Sequence, residues 1–305
     1  MLPDFPPQLH VFVRDWLSAN NILLRSAAGH VLIDTGYHLH QDLMLQLLSS
    51  RVGIGTDGLA QLVNTHCHSD HMGGNAAVKG AYGCSISVPA GEAQFIDPWN
   101  PDGLWLTFTE QYAPPFMYDA LIHHGDVNVW GDLEWEALSA PGHDMGALVY
   151  WNARHRILIS GDALWQHGFG VVFPPEIDPR CLPSTRETLD RIAALDAAIV
   201  IPGHGEPFTD VRGALQRAYS RLAAFEADST RIARHILKVM TTFMLLAHRK
   251  LALSELPHYC ERVPVLADLN RRYLQLEPGA LAEWLVAELV RAKVATQDGH
   301  WMHAA

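Results

Sequence analysis

Short apolar runs, each ending in a turn that carries a chemically active side chain, set the pattern of the first two-thirds of this chain. Val31-Leu32-Ile33 leads into Asp34-Thr35-Gly36, and Leu62-Val63-Asn64 leads into a histidine-rich turn. Ala137-Leu138-Ser139-Ala140 leads into Pro141-Gly142-His143, Ile157-Leu158-Ile159-Ser160 into Gly161-Asp162, and Ile199-Val200-Ile201 into Pro202-Gly203-His204. Such runs read as buried strands. The closing glycines let the backbone turn sharply or approach an ion closely. Helices are expected from Asn75, after Gly73-Gly74, and over 184–197. Beyond residue 211 the pattern turns helical, with segments at 211–227, 230–250, 253–260, 265–274 and 280–293. A hairpin with an Asp298-Gly299 turn closes the chain over 294–302.

The histidine-rich turn is Thr65-His66-Cys67-His68-Ser69-Asp70-His71. Imidazole and carboxylate together suit a divalent ion such as zinc, with iron or manganese as alternatives. Four such groups on one strand-to-helix loop exceed what one tetrahedral ion takes from so short a segment, and suggest two metals sharing it. A metal-free, histidine-rich surface loop is the competing reading. Gly-His143, Gly-Asp162 and Gly-His204 are each weak signals alone; in order behind the heptad they are hard to explain as coincidence.

With these residues the chain resembles the metallo-β-lactamase superfamily, over roughly residues 20–210. The resemblance implies an α/β, four-layer αββα sandwich. It implies that His66, His68 and His143 hold one metal, that Asp70, His71 and His204 hold a second, and that Asp162 bridges them. Asp34 would orient a ligand histidine through its free ring N–H. Two ions about 3.5–4 Å apart lower the pKa of a shared water and supply a bridging hydroxide as nucleophile. The chemistry would rest on Asp162 and Asp70, the latter a candidate proton donor to the leaving group. No Gly-x-Ser-x-Gly is present, and Cys67 is expected to point into the core.

Composition narrows this reading. With 305 residues, 49% of them hydrophobic, the chain can bury a large core, and division into a catalytic domain over 1–227 and a winged-helix-like helical domain over 228–305 is expected. Four scattered cysteines argue against a disulfide framework. The first residues lack a signal pattern and the apolar stretch 239–247 is too short to span a bilayer, so a cytoplasmic location is expected. The net charge of −11 disfavours non-specific nucleic-acid binding. It is uneven: residues 1–210 hold 9 Lys+Arg against 24 Asp+Glu, whereas 211–305 hold 13 against 9.

That C-terminal layout resembles the superfamily branch that includes a mitochondrial single-strand endoribonuclease, so RNA is the alternative substrate. A helical cap on the active site or a homodimer contact are competing roles for the segment, and its interleaved acids favour them over an RNA groove. The aromatic, proline-broken stretch 95–118 reads either as a satellite core or oligomer interface or, with the loop after Asp162, as a lid that shapes an apolar pocket. Trp99, Trp105, Tyr112, Phe116, Trp165 and His167 are its candidate substrate contacts. The leading substrate is therefore a small molecule: an ester, thioester or lactone with an apolar acyl part. Only 41 residues separate Asp162 from His204, leaving no room for a large RNA-processing insertion. The basic glutathione-binding segment of glyoxalase II-type enzymes is not apparent after His204. A non-enzymatic, metal-dependent regulator on the same fold is a third reading.

Overall fold

The computed structural model describes residues 3–305. A first sheet carries six strands in chain order: β1 (Leu9–Phe12), β2 (Asn21–Leu24), β3 (His30–Ile33), β4 (Leu59–Val63), β5 (Ser85–Pro89) and β6 (Ala120–Ile122). β1 to β3 pair antiparallel and β3 to β6 parallel. The second sheet has the order β11-β10-β9-β8-β7, from β7 (Val127–Trp130), β8 (Leu133–Ser139), β9 (Leu148–Asn152), β10 (Ile157–Gly161) and β11 (Ile199–Pro202). Parallel neighbours need a crossover. Helices Gln41–Ser49, Asn75–Tyr82 and Cys181–Ala194 lie on the crossovers into β4, β5 and β11.

Side-chain alternation along the strands accounts for the layering. Ile22, Leu24, Val31, Ile33 and Val63 of the first sheet share one core with Trp135, Ala137, Tyr150, Ile157, Ile159 and Ile201 of the second. The intervening residues face the other way: Leu23, Leu32 and Leu62 pack with Met44, Leu48 and Val78 of the first sheet's helices. Leu138, Val149, Trp151, Leu158 and Val200 pack with Leu189 and Ile192 of Cys181–Ala194. A period of two forces each sheet to be apolar on both faces, and both faces are covered, giving helix, sheet, sheet, helix.

The C-terminal region extends the outer layer of the second sheet. Helix Val211–Ala227 is followed after one residue, Asp228, by helix Ser229–His248. Asp228 caps the second helix by accepting from the Thr230 amide at 2.9 Å. Helices Leu256–Arg262, Pro264–Leu269 and Pro278–Arg291 follow, with a single π turn over Asn270–Leu274. The junction near residue 228, where a domain boundary is expected, divides no core: Leu222 and Phe225 on one side and Ile232, Ile236 and Leu237 on the other belong to one cluster.

The chain closes on β13 (Ala295–Asp298) and β14 (Trp301–Ala304), joined by β12 (Lys250–Ala252) in the order β12-β14-β13. Residue 250 is expected in a helix; instead Arg249 adopts φ +68°, which ends the helix and sends Lys250 into the sheet. All four cysteines are buried and free, with Cys67 in the first sheet's outer core. Among the described residues, no helix is long and apolar enough to cross a membrane.

Candidate metal centre

β3 and β4 run parallel in the first sheet. In the second, β8, β10 and β11 point one way because β9 is antiparallel to both its neighbours. Five carboxyl ends therefore deliver Asp34, the 66–71 turn, His143, Asp162 and His204. Cross-sheet bonds hold the ends together: the Leu148 amide donates to Thr65 O at 2.9 Å and the Tyr150 hydroxyl to Asn64 O at 2.7 Å. The Asn20 side chain donates to Pro202 O at 2.9 Å and Gly205 O at 2.7 Å. Glycine is required at two of the turns. Gly161 has φ +47°, and a Cβ on Gly203 would stand 2.2 Å from Asp162 Oδ1.

Three overlapping sets of potential ligand atoms result: His66, His68 and His143; His66, His71 and Asp162; and Asp70, His71 and His204. His68 Nδ1 lies 2.8 Å from His143 Nε2. Asp162 sits between the outer two sets, with Oδ2 3.4 Å from His143 Nε2 and 3.9 Å from His204 Nε2, and Oδ1 3.4 Å from His71 Nε2. His204 Nε2 is 3.0 Å from Asp70 Oδ2.

Three ring nitrogens facing away from the centre are anchored. His71 Nδ1 donates to Asp34 Oδ2 at 2.8 Å, His143 Nδ1 meets Val171 O in a short contact, and His68 Nε2 lies 3.5 Å from Asp144 Oδ2. This is the outer support by which metal-bound imidazoles are fixed in tautomer and orientation.

Electrostatics support the same chemistry. Burial, reinforced by neighbouring imidazoles, pushes the His66 pKa well below normal and that of His68 down to about 4, keeping both neutral and able to bind a cation. Burial alone would raise Asp162 and Asp70. For Asp162 the positive field of His71, His204 and His143 outweighs it, and for Asp70 the His204 hydrogen bond and His71 do, so both lie below the usual carboxylate range. Burial would lower His71, but Asp34 and Asp162 raise it well above normal, so an incoming cation must displace its proton.

Buried Nε2 of His66, Nε2 of His71 and Nδ1 of His204 have no hydrogen-bond partner in the protein. A buried polar nitrogen left bare is costly, and all three residues belong to the overlapping ligand sets. The donor set, nitrogen and carboxylate oxygen, fits divalent metal ions.

A cavity of about 110 Å³ opens over His68, Asp70, His143, Asp162 and His204. Of the expected substrate contacts, Trp105 and Trp165 line it. The other four lie elsewhere. Trp99 and Phe116 pack edge-to-face, 6.0 Å apart, on the outer core of the first sheet. Tyr112 is 54% exposed against His38, and His167 is on the surface. Stretch 95–118 is thus mainly a satellite of the core, and only part of it, at Leu104, Trp105, Thr109 and Gln111, reaches the cavity.

Sequence reasoning missed three groups. Trp16 stacks on His204 with centroids 5.4 Å apart and planes 4° apart, and meets Trp165 edge-on at 5.5 Å. Phe173 supports Trp105 at 4.5 Å. Ile236, Val239, Met240 and Phe243 of helix Ser229–His248 form a cavity wall. The apolar spacing of that helix was visible, but nothing in it distinguished a site wall from a core contact.

Comparison with known proteins agrees with this geometry. A family model described as the metallo-beta-lactamase superfamily matches residues 14–204. A hydroxyacylglutathione hydrolase from Bdellovibrio bacteriovorus is 30% identical over 115 residues, covering 38% of this chain and 38% of its own. One from Rhodospirillum rubrum is 29% identical over 180 residues, covering 57% of this chain and 61% of its own. The chain thus spans less than two-thirds of either relative. A metallo-beta-lactamase family protein from Thermus thermophilus superposes with a TM-score of 0.60 at 21% identity, over 98% of this chain and 99% of its own.

Proposed function

The chain belongs to the metallo-β-lactamase superfamily, and on that premise we propose that it is a dinuclear metal-dependent hydrolase of an ester or thioester with an apolar acyl part. The observation that carries this reading is the junction of three overlapping ligand sets, with Asp162 between the outer two, and a cavity whose remaining walls are mostly apolar and aromatic. His66, His68 and His143 would hold one ion, Asp70, His71 and His204 the other, and Asp162 both. Zinc fits this donor set best, with iron or manganese as alternatives. When bound, such a pair supplies Lewis acidity and an acidified water for attack on a carbonyl.

The protein's own share of the work is positional. Asp34, Val171 O and Asp144 hold the imidazoles in place, and the Trp165 indole N–H donates to Asp162 Oδ1 at 3.1 Å, fixing the carboxylate shared by the two sets. Asp70 lines the cavity beside His204, where its ionised carboxylate would take up the proton released by the attacking water and pass it to the departing thiolate or alkoxide. Trp16, Trp165, Trp105 and Phe173 keep bulk water from an apolar acyl group.

The hydroxyacylglutathione hydrolase names of the relatives favour a thioester. The cavity has no Lys or Arg on its walls to take the carboxylates of a glutathione moiety or the phosphates of RNA. Arg271 and Arg272 are engaged with Asp268 instead. A small neutral substrate in the cytoplasm is the reading that fits.

The test is metal analysis of purified protein, paired with turnover of an acyl-thioester series and of single-stranded RNA. Asp162→Ala serves as control in each assay. About two metals per chain and thioester or ester turnover that needs Asp162 are expected. Asp162-dependent RNA cleavage without ester turnover would overturn the proposal.

A further inference from the structure

One polar group in the cavity wall has no use in the site as described so far. Gln111 follows Glu110, whose left-handed backbone (φ +54°) turns the chain so that Gln111 N reaches Leu106 O at 2.9 Å. Its side chain spans two structural units. Oε1 accepts from the hydroxyl of buried Ser69 at 2.6 Å, and Ser69 lies between His68 and Asp70 in the ligand turn. Nε2 contacts Met240 Sδ of helix Ser229–His248 at 3.9 Å.

The NH2 group points inward, where a thioether, a weak acceptor, is its partner. Two other polar wall groups are engaged within the protein: the Thr109 hydroxyl donates to Trp105 O at 2.7 Å, and the Trp165 indole to Asp162. An amide N–H facing an apolar wall without a good acceptor is poorly satisfied.

We infer that Gln111 is a substrate-binding residue, donating through Nε2 to a neutral oxygen (carbonyl, amide or hydroxyl) of a bound group that replaces the Met240 thioether as its acceptor. The inference rests on the hydrolase reading for the identity of the reaction, but not for the binding. It narrows the substrate from any apolar acyl group to one carrying an uncharged oxygen acceptor within reach of Ser69's neighbours, because no cation on the walls would favour an anionic one. Ser69 is then a positioning residue that acts through Gln111.

The experiment uses the quenching of cavity indoles, Trp16, Trp105 and Trp165, by two neutral ligands of similar size, phenylacetone, which carries an oxygen acceptor and no donor, and propylbenzene. Gln111→Glu keeps an oxygen for Ser69 to donate to and exchanges the N–H donors for a carboxylate oxygen; Gln111→Leu removes donors and acceptor without adding charge. Both variants should bind phenylacetone roughly three- to tenfold more weakly than the parent protein, with propylbenzene unchanged in Gln111→Leu. Ser69→Ala should give a smaller loss in the same direction. Equal weakening of the two ligands in Gln111→Leu, or either variant binding phenylacetone as the parent does, would overturn the inference. Because the readout is binding, absence of thioester turnover would sink the hydrolase reading while leaving this result to stand or fall alone.

Discussion

Asp34 grips His71 from behind: its Oδ2 accepts from Nδ1 at 2.8 Å with both side chains buried, leaving Nε2 aimed at Asp162 Oδ1, 3.4 Å away. The same carboxylate accepts from the Thr65 amide at 2.9 Å and the Thr65 hydroxyl at 2.8 Å, so it also sets the start of the ligand turn. Asp34 itself holds φ +58°, a conformation that non-glycine residues adopt rarely. Strain at this position is offset by four hydrogen bonds to its side chain.

Asp34→Asn retains shape but removes the charge that fixes His71. Metal affinity at the Asp70–His71–His204 set should fall about 10- to 100-fold, with the other set little changed. Competition with a coloured chelator would read this as one weakened equivalent of the two. Two unchanged equivalents would show that Asp34 shapes only the turn.

Val239 is half-buried on the C-terminal wall of the cavity. Val239→Trp should fill space that an acyl chain would use. Turnover of an eight-carbon acyl thioester should drop at least about tenfold in kcat/KM, with the two-carbon substrate affected much less. Equal losses for both would place the acyl chain elsewhere.

Arg271 and Arg272 sit on the surface, paired with Asp268. Exposed pairs contribute little, so neutralising both as Arg271→Gln and Arg272→Gln should leave the midpoint of a denaturant titration essentially unchanged. Thioester turnover should be unaltered at any salt concentration. A salt-dependent loss of activity in this double variant would point to a polyanionic substrate.

Burial, with Arg221 and Lys238 nearby, pushes the His235 pKa down to about 4 from the ordinary 6.5. Below pH 6.5 the unfolded chain therefore takes up a proton that the folded chain refuses. The contribution to stability is complete above pH 6.5, declines as pH falls toward 4 and then levels off. Its full size is at most about 3 kcal/mol. His235→Gln should flatten this part of the stability–pH curve relative to the parent protein; identical slopes in the two proteins would refute the assignment.

Much of the fold was legible because its signals are local. Val31-Leu32-Ile33 and Ile157-Leu158-Ile159 are apolar on both faces, which announces strands covered on both sides, and such strands belong to a sheet between layers. The helix over 230–250 was visible from its spacing, but the switch at Arg249 was not: a single backbone rotation stops the helix and starts β12. That choice is made by pairing with β14, Leu251 opposite Met302, across roughly fifty residues of chain.

The seven ligand-type residues stand out in the sequence because the 66–71 turn, His143, Asp162 and His204 each follow an apolar run; that their side chains converge is seen only in the folded chain. The pocket was different. Trp99 and Phe116 look no different in sequence from Trp105, yet the first two face the core and the third faces the cavity. Trp16, far upstream, stacks on His204, and a C-terminal helix supplies an apolar wall. An aromatic side chain gains similarly from burial against a core or a cavity wall, so composition cannot choose between them. Only the packing of distant segments decides, and that is a property of the tertiary structure.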